Sequence, residues 1–233
     1  MTVPTPPAVV LARELYRFYR AGDEEVLALR GVSLLVTAGE LVVVAGPSGS
    51  GKSTLLALLA GLDEPDGGSV TLAGERMSHR PEGHRTLLRR RLVGVLRQTG
   101  NLVGHLTVQQ NIELVRRLRD RSARGRSAAE LLDMVALRHR AHAMPGQLSG
   151  GELARAGLAV ALAGDPAVLI ADEPTGELDV ANERRVLGLM QEVAASGTAV
   201  VVASHSAEVA AAADRLLRLA DGRWADEPDR TAA

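Results

Sequence analysis

The chain has 233 residues, a formal net charge of −1, no cysteine, 46% hydrophobic residues and only 2% aromatic ones. That length suits one large domain or a core with a smaller lobe, built from Val, Leu and Ala. Disulfides and thiolate metal sites are excluded, and the charge balance argues against holding nucleic acid by a basic surface.

The first ten residues, MTVPTPPAVV, lack the basic start of a signal sequence and carry too many prolines for one. No apolar run approaches the roughly 18–20 residues that span a bilayer, so the chain by itself reads as soluble. The ends, 1–7 and 224–233, are expected to be frayed. Tyr16, Phe18 and Tyr19 stand close together before "GDEEV". "VSLLV" (Val32–Val36) and "SVTLAG" (Ser69–Gly74) look like strands of a small antiparallel sheet.

Three continuous apolar runs follow the pattern of parallel strands buried on both faces: Leu41–Ala45, Ala167–Ala171 and Ala199–Ser204. Each ends in polar chemistry: a glycine-rich loop, then Asp172 and Glu173, then His205. Ligands of open parallel sheets bind beyond the carboxyl ends of the strands, so one shared site is expected. Helices are expected at Ser53–Leu62, Gly150–Ala163 and Ala181–Ala195. The arginine-rich middle, Asn101–Gln147, reads as mostly helical, with "RSARGRS" (Arg121–Ser127) as a loop. It is taken as a lobe inserted into the core.

Gly46–Ser53, GPSGSGKS, is a G-x-x-x-x-G-K-S loop between a strand and a helix. This is the context of a phosphate-binding loop. Gly46, Pro47, Ser48, Gly49, Ser50, Gly51, Lys52, Ser53 and Thr54 form its candidate binding surface. Glycines let backbone N–H groups turn inward on phosphate oxygens, and the helix N-terminus adds positive partial charge. Lys52 is the only lysine among 27 basic residues. A compact ammonium fits between β- and γ-phosphate oxygens inside a closed loop, where the wide fork of arginine does not. Ser53 is placed to offer its hydroxyl to Mg²⁺.

"QLSGGELARAGLAVAL" (Gln147–Leu162) and "AVLIADEPTGELD" (Ala167–Asp179), together with the phosphate loop, resemble the nucleotide-binding subunit of ABC transporters. The resemblance runs from about Val9 to Arg223. It is strongest to subunits of lipoprotein-release, macrolide-export and cell-division-type systems, through "GLDEPDGGSVTLAG", "NLVGHLTVQQNIEL" and "ADEPTGELD". It implies an α/β fold with a mainly parallel core sheet, a small antiparallel part and an inserted helical lobe. One domain is expected, its core at about 8–97 and 160–223 and its lobe at about 98–159.

The resemblance also implies an ATPase that uses ATP and Mg²⁺. Asp172, Ser53 and Gln98 would serve the metal, Glu173 would polarise the attacking water, and His205 and Lys52 would contact the γ-phosphate. Tyr19 would stack on adenine. Ser149, Gly150, Gly151 and Asp179 would contact ATP held by a second copy, giving a head-to-tail homodimer. A separate membrane permease, a cytoplasmic location on the inner face of the membrane and no nucleic-acid partner are further implications. Regulation of a membrane partner without transport is the alternative, and a soluble ABC ATPase a remoter one.

Three positions depart from the family pattern: Glu152 where glutamine is usual, Arg97 where an aromatic is common, and Ser206 where an acid is common. "HRTLLRRRL" (His84–Leu92) reads as a solvated basic face. His139 and His142, without a neighbouring carboxylate in sequence, read as no metal site. Trp224 reads as a packing residue.

Overall fold

The computed structural model describes residues 8–21, 24–119 and 125–225. The chain opens with two long paired strands, β1 (Ala8–Ala21) and β2 (Glu24–Thr37). β3 (Leu41–Ala45) follows, and the glycine-rich loop carries the chain into α1 (Lys52–Leu59). Next come β4 (Gly67–Leu72), β5 (Glu75–Arg76), α2 (Glu82–Leu92) and β6 (Val93–Arg97). The arginine-rich middle holds α3 (Val108–Leu118) and α4 (Ala128–Met134), then two single turns of 3-10 helix and α5 (Gly150–Leu162). β7 (Val168–Asp172), α6 (Val180–Ala195), β8 (Ala199–Ala203), α7 (Ala207–Ala211), β9 (Arg215–Ala220) and β10 (Arg223–Trp224) complete it.

Two sheets result. β2-β1-β4-β5 is antiparallel, and β10-β9-β3-β8-β7-β6 is parallel except for β10. Alternation along the core strands explains why their sequences are apolar throughout. Val43, Leu169, Ala171, Val200 and Val202 face a core shared with α3 to α6. Val42, Val44, Val168, Ile170 and Val201 face the opposite core, under α1 and the antiparallel sheet. Both faces are covered, and burying each such Val, Leu or Ile side chain is worth about 1.5–3 kcal/mol.

Close backbone approach fixes where the helical segment meets the sheet. A Cβ on Gly94 of β6 would lie 2.5 Å from the carbonyl oxygen of Ala161 on α5. Only glycine lets the two elements touch there, and that contact brings Gln98, just past β6, toward α5.

The fold class expected from the sequence is the one observed. Some particulars differ. The expected first helix, Ser53–Leu62, ends at Leu59. The basic stretch His84–Leu92 lies within α2, where Glu82 pairs with Arg85 and Arg89. Trp224 belongs to β10 rather than to a tail: it pairs with Leu219, and its Nε1–H donates to the Ser33 carbonyl at 2.8 Å. The expected frayed ends 1–7 and 226–233, and most of the Arg121–Ser127 loop, lie outside the described residues. Among the described residues no helix is long and apolar enough to cross a membrane.

Candidate functional site

The phosphate-binding loop leaves β3 and is shaped by backbone that closes on it from other strands. A Cβ on Gly46 would lie 2.1 Å from the Leu219 carbonyl oxygen, and one on Gly51 would lie 2.5 Å from that of Ala28. Gly51 is also the residue before α1, left-handed at φ 103°, with no side chain capping the helix. The first-turn N–H groups, which an α-helix cannot satisfy internally, are thus left to a ligand.

Lys52 is 8% exposed, and its Nζ donates to the carbonyls of Gly46 (2.8 Å) and Pro47 (2.9 Å). The single lysine is therefore folded back on its own loop, where neutral carbonyls hold its charge in place. Ser50 is buried, its N–H donates to the Pro47 carbonyl at 3.2 Å, and its Oγ has no hydrogen-bond partner among the described residues.

A cleft of about 800 Å³ opens over this loop. Of the sequence candidates, its lining brings together Tyr19, Gly46, Pro47, Ser48, Gly49, Gly51, Lys52, Ser53, Thr54, Gln98, Glu173 and His205. Ser50 and Asp172 are not in that lining. Asp172 ends β7 half-buried, and its Oδ1 is buried with no hydrogen-bond partner among the described residues.

Glu173 takes a left-handed backbone, φ 46°, costly for a residue with a side chain. Its N–H donates to the Ala203 carbonyl at 2.9 Å, which anchors the turn to the end of β8. The turn brings the carboxylate beside His205, with Nδ1 3.0 Å from Oε2. The approach has ion-pair distance but not hydrogen-bond alignment, so Oε2 has no donor. His205 is mostly exposed while Glu173 is largely covered. Gln98 donates from Nε2 to Glu177 Oε1 at 3.3 Å, tying the end of β6 to the segment after Glu173.

Ser149, Gly150, Gly151 and Asp179 do not reach the cleft. Gly150 lines a second cavity of about 220 Å³, with Gln98, Glu173 and Leu178. Ser149 caps α5: its Oγ accepts from the Glu152 N–H, and its N–H donates to Glu152 Oε2 at 2.9 Å. Asp179 caps α6, accepting from the N–H (2.9 Å) and Nδ2 (2.7 Å) of Asn182. These bonds hold the Asp179 carboxyl below the ordinary carboxylate range, the backbone N–H contributing most.

Asn182 then joins the two caps. Its Oδ1 accepts from Arg155 Nη1 at 3.1 Å, and a Cβ on Gly151 would fall 2.1 Å from that oxygen. The second glycine of "SGG" is thus required by a side chain packed against it.

Glu152 has a local explanation. Beyond the capping bonds, its Oε1 accepts from Arg140 Nε at 2.9 Å. The Ser149 N–H first, then Arg140, hold its carboxyl below the usual range. His139 Nε2 also lies 3.9 Å from Glu152, so a carboxylate absent from its sequence neighbourhood does approach it in space. No group of three metal-ligating side chains occurs among the described residues. Arg97 is exposed, and the Asn101 side chain pairs with its backbone N–H and carbonyl.

Sequence reasoning missed the part of the cleft wall formed by Val26, Leu27, Ala28, Arg30, Gly176, Asp221 and Gly222. Much of that wall is backbone: the Arg30 N–H donates to the Gly222 carbonyl and the Gly222 N–H to the Ser50 carbonyl. Only the glycine in "ADGRW" offered a signal.

A family model described as "ABC transporter" matches residues 29–176. The chain is 43% identical over 220 residues to the lipoprotein-releasing system ATP-binding protein LolD of Pseudomonas syringae pv. tomato, covering 93% of this chain and 96% of the relative. It is 41% identical over 221 residues to the macrolide export ATP-binding/permease protein MacB of Hyphomonas neptunium, covering 94% of this chain and 34% of the relative. The chain thus spans about a third of the length of that relative. Among solved structures, the dimeric bacterial ABC transporter cassette MJ0796 superposes with a TM-score of 0.86 at 34% identity, covering 93% of this chain and 97% of that one. A second structure of that cassette, a dimeric post-hydrolysis state bound to ADP and Pi, matches equally well.

Proposed function

The chain belongs to the ABC transporter family, and from that membership we propose that it is the ATP-binding, ATP-hydrolysing subunit of an export-type transporter, acting on a separate membrane permease. One observation carries the catalytic part. The cleft unites an uncapped phosphate loop and its lysine with a carboxylate held 3.0 Å from an imidazole.

Hydrolysis of a phosphoanhydride by water needs positioning and charge stabilisation more than covalent chemistry. The N–H groups of Gly49 and of Gly51 to Thr54 cradle the phosphates. Lys52 leaves the Gly46 and Pro47 carbonyls for β- and γ-phosphate oxygens, exchanging neutral acceptors for charged ones. Glu173 orients and polarises the attacking water, with Oε2 free of any donor among the described residues. His205, its Nδ1 3.0 Å from that carboxylate, contacts the γ-phosphate. Tyr19 stacks on the adenine.

The residues fit a divalent cation. Asp172 Oδ1 is a buried carboxylate oxygen without a hydrogen-bond partner among the described residues, which a cation or its bound water would satisfy. Asp172, Ser53 and Gln98 would hold Mg²⁺, which when bound neutralises charge on the phosphate oxygens.

Ser149, Gly150, Gly151 and Asp179 stand away from the cleft, which supports a role toward the nucleotide of a second copy. The dimeric state of the related cassette supports the same arrangement. The 98–159 segment is the lobe through which closure would be transmitted, and the subunit would sit on the inner face of the membrane.

Glu173→Gln should keep ATP affinity and lose hydrolysis by about 10²–10⁴-fold. This variant, tagged and recovered from detergent-solubilised native membranes with ATP, is expected to carry a multi-span permease in stoichiometric amount. Recovery from the soluble fraction alone would count against a transporter assembly. A permease with an extracellular enzyme-binding part and no transport pathway would favour mechanical regulation over export.

A further inference from the structure

Tyr19 is held by more than its place in β1. Arg17, two residues earlier on the same face of the strand, lays its guanidinium over the Tyr19 ring, 4.8 Å from the centroid. Arg17 Nε and Nη2 donate to Asp63 Oδ2 and Oδ1, both at 2.9 Å, and Nη1 donates to the Asp66 carboxylate at 3.2 Å. The Tyr19 hydroxyl donates to Asp63 Oδ2 at 3.0 Å. Asp66 also accepts from the Phe18 N–H at 2.7 Å.

Asp63 and Asp66 lie in the turn that leaves α1, the helix whose opposite end is the phosphate loop. The Leu62 and Asp63 N–H groups both donate to the Ala57 carbonyl, which locks this turn to the helix. The clasp thus links the aromatic to the far end of the phosphate-binding element. One ring face is covered by a cation, the hydroxyl is engaged, and Tyr19 as a residue remains 38% exposed in the cleft wall.

We propose that Arg17 is a positioning residue for the nucleotide base. Clamped by Asp63 and Asp66, it fixes the plane of Tyr19 at a set distance from the phosphate cradle and leaves one face of the ring for a purine. The inference rests on Tyr19 being the base-stacking residue. Arginine suits this place because its planar fork binds a carboxylate with two bonds while its face lies on a ring; an ammonium can sit over a ring but has no fork to hold the carboxylate at the same time.

The test measures equilibrium affinity, with no divalent cation added, for two probes: ATP and ribose 5-triphosphate, which has the phosphates but no base. Tyr19→Ala should weaken ATP about tenfold or more and bring it level with ribose 5-triphosphate, because stacking is lost. Arg17→Met and Asp63→Asn should each weaken ATP about three- to tenfold and leave ribose 5-triphosphate unchanged. Unchanged ribose 5-triphosphate binding also reports an intact fold. Arg17→Lys should behave like Arg17→Met, since charge without the fork does not rebuild the clasp.

Equal weakening of both probes by Arg17→Met would reduce Arg17 to a structural role and overturn the inference, as would no effect on ATP. A Tyr19→Ala chain that still prefers ATP would refute the stacking assignment itself. Loss of that preference in Tyr19→Ala but not in Arg17→Met would overturn only the role of Arg17.

Discussion

Among the described residues, the N-termini of α1 and α5 are finished in opposite ways. α1 begins after a left-handed Gly51, has no side-chain cap and places the buried Lys52 in its first turn. α5 begins at Ser149, which exchanges hydrogen bonds with Glu152, and that carboxylate is paired with Arg140. The first end leaves its donors open and adds a cation. The second satisfies donors from within and adds an anion that an arginine offsets. On the proposed function, one end binds phosphate by itself and the other contributes only where a phosphate is already held.

The largest effect should come from the open end. Lys52→Arg keeps the charge but needs more room than the closed loop gives, so ATP affinity should fall about tenfold or more in calorimetric titration. Wild-type affinity in that variant would mean that charge alone, without fit, serves the site.

A smaller effect tests the closed end. Gly151→Ala puts a methyl group 2.1 Å from Asn182 Oδ1, where no flexible atom can yield without breaking the bonds to Asp179 or Arg155. The expected loss is about 1–3 kcal/mol in denaturant unfolding. ATP affinity of the single chain should be unaffected. A fall in affinity would show that the two ends are not separate.

The smallest effect concerns Glu152. Its carboxyl is held below the ordinary value of 4.5 by the Ser149 N–H and Arg140. A depressed folded-state value means stability that is fully present above the unfolded pKa and lost as pH falls through the folded one. Measured in a His139→Asn background, which removes the imidazole 3.9 Å from that carboxylate, the stability change caused by Glu152→Gln should therefore stay constant above about pH 5.5 and change only on further acidification. A change in that background that varies between about pH 6 and 8 would contradict a depressed carboxyl at Glu152.

The same contrast explains what could be read in advance. The phosphate loop was legible because a tight turn around an anion demands glycines at fixed spacing. The buried strands were legible because covering both faces demands unbroken apolar runs. β9 was not: "RLLRLA" carries charge into a sheet, since Arg215 is paired with the buried Glu40. β1 was missed because its alternation is broken by register shifts and by Glu14 at φ 46°.

At the site, candidate residues could be named by type, whereas their supports could not. Asn182 beneath Gly151, Arg140 on Glu152 and Asp63 on Tyr19 are contacts between distant positions, and a single sequence carries no trace of them. The backbone wall from Ala28 and Gly222 is equally silent, because a carbonyl or an N–H has no letter of its own.

The contrast between the two ends is tested most directly by Ser149→Arg, which blocks the second end and leaves the phosphate loop alone. ATP affinity and steady-state hydrolysis would be measured on this chain alone and mixed with Lys52→Met, whose loop is disabled and whose second end is intact. The expected result is unchanged affinity, loss of hydrolysis alone, and partial recovery on mixing, as one complete site forms across two chains. Hydrolysis at the wild-type rate by the Ser149→Arg chain alone would contradict it.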